Sequence, residues 1–458
     1  MADTAPAPGR RAPTIDSVPT TSADDPPPDA TGLEIRPFRA LTYRDHDPAQ
    51  LARVTSPAYD LVTAAGRDRL AAADLHNIVR LILPHVDPVP GQDTSRSVRD
   101  RRSAEAAART LDRWRRDGVL RQDEAPALWR YEMSAPGTDP TTGWLGGVAL
   151  PPPGSAAVLP HEDTFAPAVA GRAALLAATD TDLEPIVLAH DPDPEITELT
   201  GLTGSGEPSL EVADPDGVVH RLWRITDPGT IDRLTRALAR TGSVIADGHH
   251  RFAAARQHAA AGSPDHQDGG HGRVLALLTP MGPGGLQVRA IHRVVPDMTL
   301  DDALASAARG FSVRDVLPVD GDVRSTAQHW TASAGGPAFL VTDGTRLAEL
   351  TDPSPEMRAA VPAEAPAAWR RLDVVLAHAA LLSGLWGRPD DPASVLVAHD
   401  VDEALRLAHE RAGVALLLRS PSPADVAAVA RAGARMPRKS TLFVPKPRTG
   451  LVLRPHHD

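Results

Sequence analysis

The sequence predicts a mixed α/β protein, of the α+β kind, with an irregular and partly antiparallel sheet. Short apolar segments with the length of buried strands alternate with alanine-rich segments of helical periodicity. Two turn sequences, Asp-Pro-Asp-Gly at 214–217 and Asp-Gly at 343–344, each separate two apolar runs and are typical of hairpins. Residues 394–433 alternate strand, helix, strand and helix, which indicates a small α/β unit.

The individual elements follow from periodicity and from stop signals. Leu33–Phe38 alternates at period two, and Pro37 favours an edge position for this strand. Gly118 is placed as the stop of a long helical pattern. In chain order the predicted strands are 33–38, 78–83, 127–133, 143–150, 185–188, 209–212, 218–225, 243–246, 274–278, 286–295, a hairpin at 339–350, 395–397, 414–418 and a hairpin at 439–454. The predicted helices are 62–73, 98–117, 168–178, a helix opened by Pro228, an alanine-rich helix after residue 248, 402–411 and 423–432.

Length and composition predict the domain organisation. A chain of 458 residues exceeds one ordinary core, so we expect two or three packed subdomains. The first 30 residues contain seven prolines and no apolar run, so residues 1–30 are predicted to be a disordered tail. Residues 31–300 form the predicted main domain, and residues 301–458 form an α/β C-terminal portion that completes its site.

Charge and cysteine content exclude several classes of function. The net charge of −11 repels a polyanion, so no nucleic acid partner is expected. The absence of cysteine excludes disulfides, thiolate nucleophiles and cysteine-ligated zinc, and leaves His, Asp and Glu as metal ligands. No run of about 18 apolar residues occurs, so no membrane partner is expected and a cytoplasmic location is predicted.

The segment Asp247-Gly248-His249-His250-Arg251 is the predicted functional centre, because it joins a buried strand to an alanine-rich helix. The first amides of a helix and the positive end of its dipole attract anions, and Gly248 permits close approach to the backbone. Arg251 supplies a forked cation suited to phosphate oxygens. His249 and His250 supply donors whose protonation changes near neutral pH. The pattern therefore predicts a site that binds a phosphate-bearing ligand.

Asp247 stands at the end of the strand, where two chemical roles are open. It can accept a proton from a substrate hydroxyl, or it can hold a magnesium ion that bridges phosphates. Both roles suit phosphoryl transfer. In the alternative interpretation Asp247 merely caps the helix and the two histidines lie on the surface.

His161 and Glu162 are further candidates for catalysis. They lie with Asp163 in a predicted loop, after the proline- and glycine-rich residues 151–154. A histidine beside two acids can supply a general base or metal ligands. A solvated polar loop is the alternative.

Tyr59, Asp60, Asn77 and Arg80 are candidates for the wall of a ligand pocket. Tyr59 and Asp60 equally suit a turn in which the tyrosine packs and the aspartate caps the following helix. Arg80 lies inside an apolar segment, so it needs an anion or an acidic partner. A salt bridge is the simpler solution for this arginine.

A basic cluster at 435–448 is unusual in a chain that is acidic overall. It suggests attraction for an anionic ligand, with Lys439, Ser440 and Lys446 as candidate phosphate or nucleotide contacts. Solvated charges on a hairpin are the alternative for any one of these residues. The basic members are Arg435, Arg438, Lys439, Lys446 and Arg448.

Several separated motifs together resemble domain-of-unknown-function family 1015, an uncharacterised set of bacterial and archaeal proteins. The hallmark is Ile-Ala-Asp-Gly-His-His-Arg-Phe at 245–252, and the resemblance spans about Leu33 to Pro455. The other matching segments are Ser56–Asp60, His76–Pro84, Leu159–Thr164 and Met436–Leu451. The chain is therefore identified as a member of this family, which by itself implies no activity.

The segment from Asp247 to Arg251 also resembles the strand-turn-helix phosphate motif of the ParB and sulfiredoxin-like superfamily. Within that superfamily, the free-serine kinases carry a similar run and phosphorylate L-serine with a nucleotide donor. The resemblance implies a nucleotide-dependent kinase of a small hydroxyl metabolite, with serine as the leading guess. It also implies ATP or ADP as cofactor, with or without Mg²⁺, and a small phosphorylated ligand as the partner.

Two other functions use the same anion pocket. A nucleotide-responsive binding protein, as some ParB-like proteins are, would change shape on binding nucleotide without forming a phosphorylated product. A phosphatase of a small phosphorylated metabolite would instead admit water. Under the kinase interpretation Asp247, His161 and Glu162 belong to catalysis, and Gly248 to Arg251 hold the phosphates.

Overall fold

Within the described residues, strands from both halves of the chain form two main sheets and three two-stranded ladders. The computed structural model describes residues 32–87, 95–261, 270–333, 335–389, 391 and 393–457. The strands are β1 (Ile35–Arg36), β2 (Leu41–Tyr43), β3 (Leu120–Gln122), β4 (Leu128–Ser134), β5 (Thr141–Ala149), β6 (Val158–Leu159), β7 (Thr181–Asp182), β8 (Ile186–His190), β9 (Leu210–Ala213), β10 (Val219–Ile225), β11 (Ser243–Asp247), β12 (Arg273–Pro280), β13 (Gln287–Ala290), β14 (His292–Val295), β15 (Ser312–Val316), β16 (Phe339–Thr342), β17 (Leu347–Thr351), β18 (Leu396–Ala398), β19 (Val414–Leu417), β20 (Thr441–Val444) and β21 (Arg454–Pro455).

The helices lie between these strands and pack on both sheets. They are α1 (Pro48–Val54), α2 (Ala64–Ala73), α3 (Val79–Ile82), α4 (Arg96–Arg116), α5 (Ala166–Thr179), α6 (Pro194–Leu202), α7 (Pro228–Leu238), α8 (His249–Ala261), α9 (Leu300–Ala307), α10 (Val323–Ala332), α11 (Pro355–Ala359), α12 (Ala367–Arg370), α13 (Asp373–Leu376), α14 (Val401–Glu410) and α15 (Pro423–Arg431). A π-helical stretch, Ala377–Leu385, continues α13. None of the described helices is both long and apolar enough to cross a bilayer.

The nine-stranded sheet is mixed and runs in the order β6-β11-β8-β12-β5-β4-β10-β9, with β1 paired to β5 beside this row. β6 and β11 are parallel, with Val244 opposite Leu159. β8 is antiparallel to β11, so β8 begins at the edge of the sheet where β6 and β11 end. The polar residues that follow β6 and β11 and precede β8 therefore meet at one edge.

Strand β11 is covered on both faces because its side chains alternate between two cores. Val244 belongs to the core that includes Trp114 of α4, whereas Ile245 belongs to the core that includes Leu234 of α7 and Phe252 of α8. The same strand thus anchors helices on both sides of the sheet. This packing fixes the point at which the chain leaves the sheet after Asp247.

The second sheet has six strands in the order β15-β17-β16-β19-β14-β18. The predicted α/β unit is present in it as β18, α14, β19 and α15, and the predicted hairpin at 339–350 is β16 with β17. The prediction of a mixed α/β protein with a partly antiparallel sheet is therefore confirmed. β14 belongs to this sheet, so the sheet begins before residue 300. The predicted tail lies outside the described residues.

The predicted strand at 78–83 is wrong, because the segment forms the short helix α3. Asn77 Oδ1 accepts a hydrogen bond of 3.0 Å from Val79 N, and Arg80 donates one of 2.5 Å to Ala71 O. A short apolar run fits a buried helix turn as well as a buried strand. The hydrogen bond to the Asn77 side chain and the burial of Val79, Leu81 and Ile82 favour the helix.

The predicted hairpin at 439–454 is also wrong. β20 pairs with β13 and β21 pairs with β7, so the two halves of this segment have different and distant partners. The predicted strand at 286–295 is divided into β13 and β14, which lie in different sheets. The sequence prediction also omitted α6, although the Asp193-Pro194 pair is a helix-start signal and Asp193 accepts from two amides of the first turn.

Candidate active site

Polar side chains from four parts of the chain meet at the edge where β6 and β11 end. His161 and Glu162 follow β6, Asp247 ends β11, and Glu184 precedes β8. Lys446 arrives from the segment after β20, and its ammonium Nζ lies 2.7 Å from Asp247 Oδ1. The site is therefore assembled from segments that lie far apart in the sequence.

Asp247 is largely buried and paired with two cations. Besides Lys446, Arg251 NH2 lies 2.5 Å from Asp247 Oδ2. Burial alone would raise the pKa of the Asp247 carboxyl, but Lys446 and Arg251 outweigh it and hold the pKa below its ordinary value. Asp247 is therefore an ionised anchor, with little tendency to take up a proton from a substrate.

Lys446 bridges two carboxylates, because its ammonium contacts Asp60 as well as Asp247. Burial lowers the pKa of Lys446, but the two carboxylates outweigh it and raise the pKa above its ordinary value. A cation thus already occupies the space between the two acids. Asp60 and Asp247 do not fit a resident Mg²⁺ in this arrangement, since the ammonium stands where such an ion would be coordinated.

Gly248 is the turn between β11 and α8, and its backbone adopts φ +94°. A Cβ at this position would lie 2.8 Å from Ile186 Cγ2 and 3.2 Å from Arg251 Nε. Both the dihedral angle and the space therefore demand glycine. The absence of a side chain lets Ile186 and Arg251 pack directly against this turn. The first amides of α8, which follow it, have no partner within the helix itself.

We expect Gly248→Ala to lower the free energy of unfolding by about 2–3 kcal/mol, because left-handed strain and crowding against Ile186 add up. Gly137→Ala is the matched control, since Gly137 has φ +73° and, apart from its chain neighbours, no atom of the described residues lies within 4 Å of its Cβ position. The control should lose only about 1 kcal/mol. Urea unfolding of both variants measures the difference, and equal losses would show that the contact with Ile186 is unimportant.

His249 and His250 hold the loop that follows β6. His249 Nε2 accepts hydrogen bonds from the amides of His161 (3.2 Å) and Glu162 (3.3 Å), and His250 Nε2 accepts one of 3.1 Å from the amide of Phe165. These contacts place the proton of each neutral ring on Nδ1. Burial lowers the pKa of both imidazoles, and His161 adds to the effect at His249. Two residues predicted to bind phosphate thus position the loop that carries Glu162.

His161 is buried at the centre of the cluster. Its ring lies 4.6 Å from that of His249, edge to face, and its Nε2 lies 3.1 Å from Thr441 Oγ1. Its carbonyl accepts a hydrogen bond of 2.7 Å from Met436 N, which ties the loop to the C-terminal segment. Burial lowers the pKa of His161 to about 4. The ring is therefore neutral at pH 7.

We expect acid to destabilise the protein through His161. Its folded-state pKa of about 4 lies below the ordinary 6.5, so the unfolded chain binds more protons between these pH values. The free energy of unfolding should fall as the pH drops through this window, by about 3 kcal/mol from this residue. Urea unfolding across the window should show a shallower pH dependence for His161→Gln than for wild type. The exposed control His409→Gln should keep the wild-type dependence, and a wild-type dependence in His161→Gln would contradict the expectation.

Glu162 is the acid in this cluster with an increased proton affinity. Burial raises its pKa above the ordinary value, although Lys439 opposes this, and the charge of Asp247 raises it further. Lys446 also lowers the pKa of this carboxyl, but less than burial raises it. Lys439 is exposed and stands in a left-handed turn with φ +54°. The structure thus brings Glu162, Asp247 and both lysines within one electrostatic neighbourhood.

Arg251 and Tyr59 form the neighbouring wall. Arg251 NH1 donates to Pro185 O at 2.5 Å, and its Nε is buried without a hydrogen-bonding partner among the described residues. The guanidinium carbons of Arg251 and Arg172 lie 5.5 Å and 4.1 Å from the centre of the Tyr59 ring. A cavity of about 50 Å³ adjoins Arg172, Arg251 and Glu184. Most of the Arg251 fork is therefore already engaged within the protein.

The remaining predicted residues have contacts elsewhere. Asn77 is buried and donates to the carbonyls of Arg53 and Thr55, at 2.7 Å and 3.2 Å. Arg80 binds Ala71 O, as described above, in place of the acidic partner expected for it. Ser440 Oγ donates to Pro437 O at 2.5 Å. These contacts satisfy the local backbone, and a role in ligand binding stays a prediction for these three residues.

Glu184, Arg172 and Thr449 were missed by the sequence prediction. Glu184 Oε1 accepts from Tyr59 N at 3.1 Å and from Thr449 Oγ1 at 2.8 Å, which fixes Tyr59 at the edge of the sheet. No local pattern marks these residues. The two predicted lysines differ in this respect, because the composition of the chain singles them out. Lys439 and Lys446 are the only two lysines among the 48 lysine and arginine residues of the chain.

The fold and the site define a mixed α/β protein with a polar cluster at a strand-to-helix turn. The chain belongs to the family described as "Protein of unknown function (DUF1015)", whose model matches residues 35–375. The family resemblance noted in the sequence is thus confirmed. No curated protein matches the chain.

Solved structures give remote matches. A conserved hypothetical protein from Pyrococcus furiosus has 12% identity and a TM-score of 0.30, and the match covers 66% of this chain and 90% of that one. C-terminally truncated SbnI from Staphylococcus aureus has 11% identity and a TM-score of 0.34, with 67% and 85% covered. A free serine kinase in complex with AMP has 12% identity and a TM-score of 0.31, with 68% and 92% covered. At these values the likeness is too remote to assign an activity.

Proposed function

We propose that the chain is a nucleotide-dependent kinase that transfers a phosphoryl group to the hydroxyl of a small metabolite. The observation that carries the proposal is the position of Glu162. Its carboxyl has a raised pKa and interacts electrostatically with Lys439 and Lys446. Its amide is hydrogen-bonded to His249, the first residue of α8. A general base and a set of phosphate-binding cations at one place are the two requirements of hydroxyl phosphorylation.

Glu162 is the better candidate for the general base, ahead of Asp247 and His161. Its raised pKa brings its proton affinity closer to that of an efficient base at neutral pH. Asp247 is held ionised by two cations, and His161 has a pKa of about 4 and is buried. Asp247 and His161 are therefore positioning residues in this proposal.

The phosphates of the donor are assigned to the start of α8 and to Lys439. The amides of the first turn and the helix dipole attract anions. Lys439 is exposed and so can contact a ligand directly. Lys446 and Arg251 compensate the negative charge of Asp247.

In the proposed step the hydroxyl oxygen of the acceptor forms a bond to the terminal phosphorus of the nucleotide. The bond from that phosphorus to its bridging oxygen breaks, and the nucleotide leaves with the electron pair. Glu162 accepts the hydroxyl proton. Serine is the leading acceptor, because the Asp-Gly-His-His-Arg run at 247–251 resembles that of kinases acting on free serine.

The full-length chain should be incubated with ATP or ADP, with and without Mg²⁺, and with L-serine, L-threonine or L-homoserine. Phosphorus NMR should show a phosphorylated hydroxyl product that forms at the expense of the donor. Folded protein that consumes no donor with any acceptor overturns the proposal. Saturable nucleotide binding without product would identify a nucleotide-responsive binding protein instead, and release of phosphate from phosphoserine alone would identify a phosphatase.

A further inference from the structure

A second polar cluster includes a residue from the C-terminal half of α8 and takes no part in the proposed phosphoryl transfer. Asp180 ends α5, His258 lies in the third turn of α8, His271 precedes β12, and His456 follows β21. Each residue offers one ligand atom, and these four atoms all lie within 4.8 Å of one another. Three imidazoles and a carboxylate from distant parts of the chain thus converge on one point.

The distances in this cluster match those of a metal coordination sphere. Asp180 Oδ1 lies 2.8 Å from His271 Nε2, 3.5 Å from His456 Nδ1 and 3.7 Å from His258 Nε2. Ligands bound tetrahedrally at about 2.0–2.1 Å from an ion are about 3.3 Å apart. The observed separations lie on both sides of that value, so small side-chain movements would complete the sphere.

Hydrogen bonding alone does not account for the arrangement. His456 is only 4% exposed, and its ring nitrogens make no well-directed hydrogen bond among the described residues, although carboxylate oxygens of Asp180 and Asp182 lie 3.5 Å and 3.3 Å away. His258 Nε2 also has no hydrogen-bonding partner there. Buried polar atoms without partners are rare because they lose the water that would otherwise bind them. A cation at the centre would bind His258 Nε2 and the one ring nitrogen that His456 turns towards Asp180.

A buried carboxylate stands behind the cluster in the position of an outer-sphere ligand. Asp182 Oδ1 lies 3.3 Å from His456 Nε2, while Nδ1 of the same ring faces Asp180. Asp182 Oδ2 is fixed by Leu275 N at 2.8 Å and by Arg454 NH1 at 3.2 Å. Metal-bound histidines usually have such a carboxylate on the second nitrogen, which orients the ring.

We propose that Asp180, His258, His271 and His456 bind one divalent transition metal ion, with Zn²⁺ as the best chemical fit. Imidazoles suit Zn²⁺, whereas Mg²⁺ and Ca²⁺ prefer oxygen ligands. Four protein ligands close a tetrahedral sphere, so the ion is structural and joins β21 to α8. Nε2 of the exposed His457 lies 2.6 Å from the other oxygen of this carboxylate, Asp180 Oδ2.

Untagged full-length protein should be stripped with EDTA and titrated with ZnSO₄ by calorimetry, and with CoCl₂ by absorption. We expect one ion per chain and the visible bands of tetrahedral Co²⁺. Asp182→Asn should weaken Zn²⁺ binding about 10–100-fold. His271→Gln and His258→Gln should each weaken it further and abolish the tetrahedral Co²⁺ spectrum.

The exposed His409→Gln is the matched control, because it removes an imidazole outside the cluster, and it should bind Zn²⁺ as wild type does. Circular dichroism establishes that each variant is folded, and the half-buried His258 provides a second test if the His271 variant does not fold. The proposal is overturned if the stripped protein shows no saturable binding of one ion, or if both histidine variants bind as wild type does. Glu162→Gln should retain the metal, so this inference and the kinase proposal fail independently.

Discussion

Replacing Lys446 by methionine is expected to lower the free energy of unfolding by about 3 kcal/mol or more, because it leaves the Asp247 carboxylate largely buried with one cation fewer. The Lys446 side chain is only 7% exposed, so water can do little to solvate the Asp247 carboxylate in place of the missing ammonium. The shift of the urea unfolding midpoint measures this loss. Breaking one partner of a buried pair costs far more than breaking a pair on the surface.

Lys439→Met is the matched control, because it makes the same chemical change at the one other lysine of the chain, which is exposed. Its effect on stability should be small. Adding Asp247→Asn to Lys446→Met should recover part of the loss, since the uncompensated charge is then absent. Equal losses in the two lysine variants would show that the Asp247–Lys446 contact contributes nothing.

Glu162→Gln is expected to reduce kcat by about 10²–10⁴-fold while the KM of the nucleotide changes little. A glutamine cannot accept the hydroxyl proton, and this range is the usual contribution of a general base. The substitution preserves the size of the side chain, so the loop held by His249 and His250 should keep its position. Initial rates with the acceptor identified in the donor assay measure the effect.

The exposed Glu356→Gln is the control for this experiment, because it removes one carboxylate elsewhere in the chain. It should leave both kinetic constants unchanged. A Glu162→Gln enzyme with wild-type kcat would show that another group takes the proton, and Asp247→Asn would then be the next variant. A rise in KM with an unchanged kcat would instead assign Glu162 to binding.

The central turn could be predicted because its signals are local. A buried apolar strand, a glycine and an alanine-rich helix lie side by side in the sequence, and the structure has β11, Gly248 and α8 in those places. The local pattern could not show that the two histidine rings would accept hydrogen bonds from the protein backbone. His249 and His250 accept from amides of the loop after β6, some 85 residues away in the sequence.

Long-range pairing explains the errors elsewhere. The segment 439–454 alternates like a hairpin, but its partners, β13 and β7, lie far upstream, and nothing in the segment identifies them. The strand predicted at 78–83 failed for another reason, because a short apolar run has no periodicity that separates helix from strand. Asn77 before that run was the informative residue, since its side chain accepts a hydrogen bond from the amide of Val79, the first residue of α3.

The lysine content offered a clue that local patterns do not contain. The chain uses arginine for nearly every basic position, yet both of its lysines flank β20 and act electrostatically on Glu162. An ammonium is a compact point charge, whereas the guanidinium of arginine is a planar fork, and Lys446 contacts Asp60 and Asp247 through a single nitrogen. The rarity of lysine in this chain thus indicated the segment that supplies compact positive charges to the site.

The separation of Asp247 and Lys446 by 199 residues also has a consequence for biosynthesis. Translation at about 5–20 residues per second delivers the ammonium roughly 10–40 s after the carboxylate. During that interval, β11 can pair in the nascent chain only while Asp247 lacks Lys446, one of its two counterions. The central sheet should therefore acquire its final resistance to proteases late in synthesis, when the segment containing Lys446 has emerged from the exit tunnel.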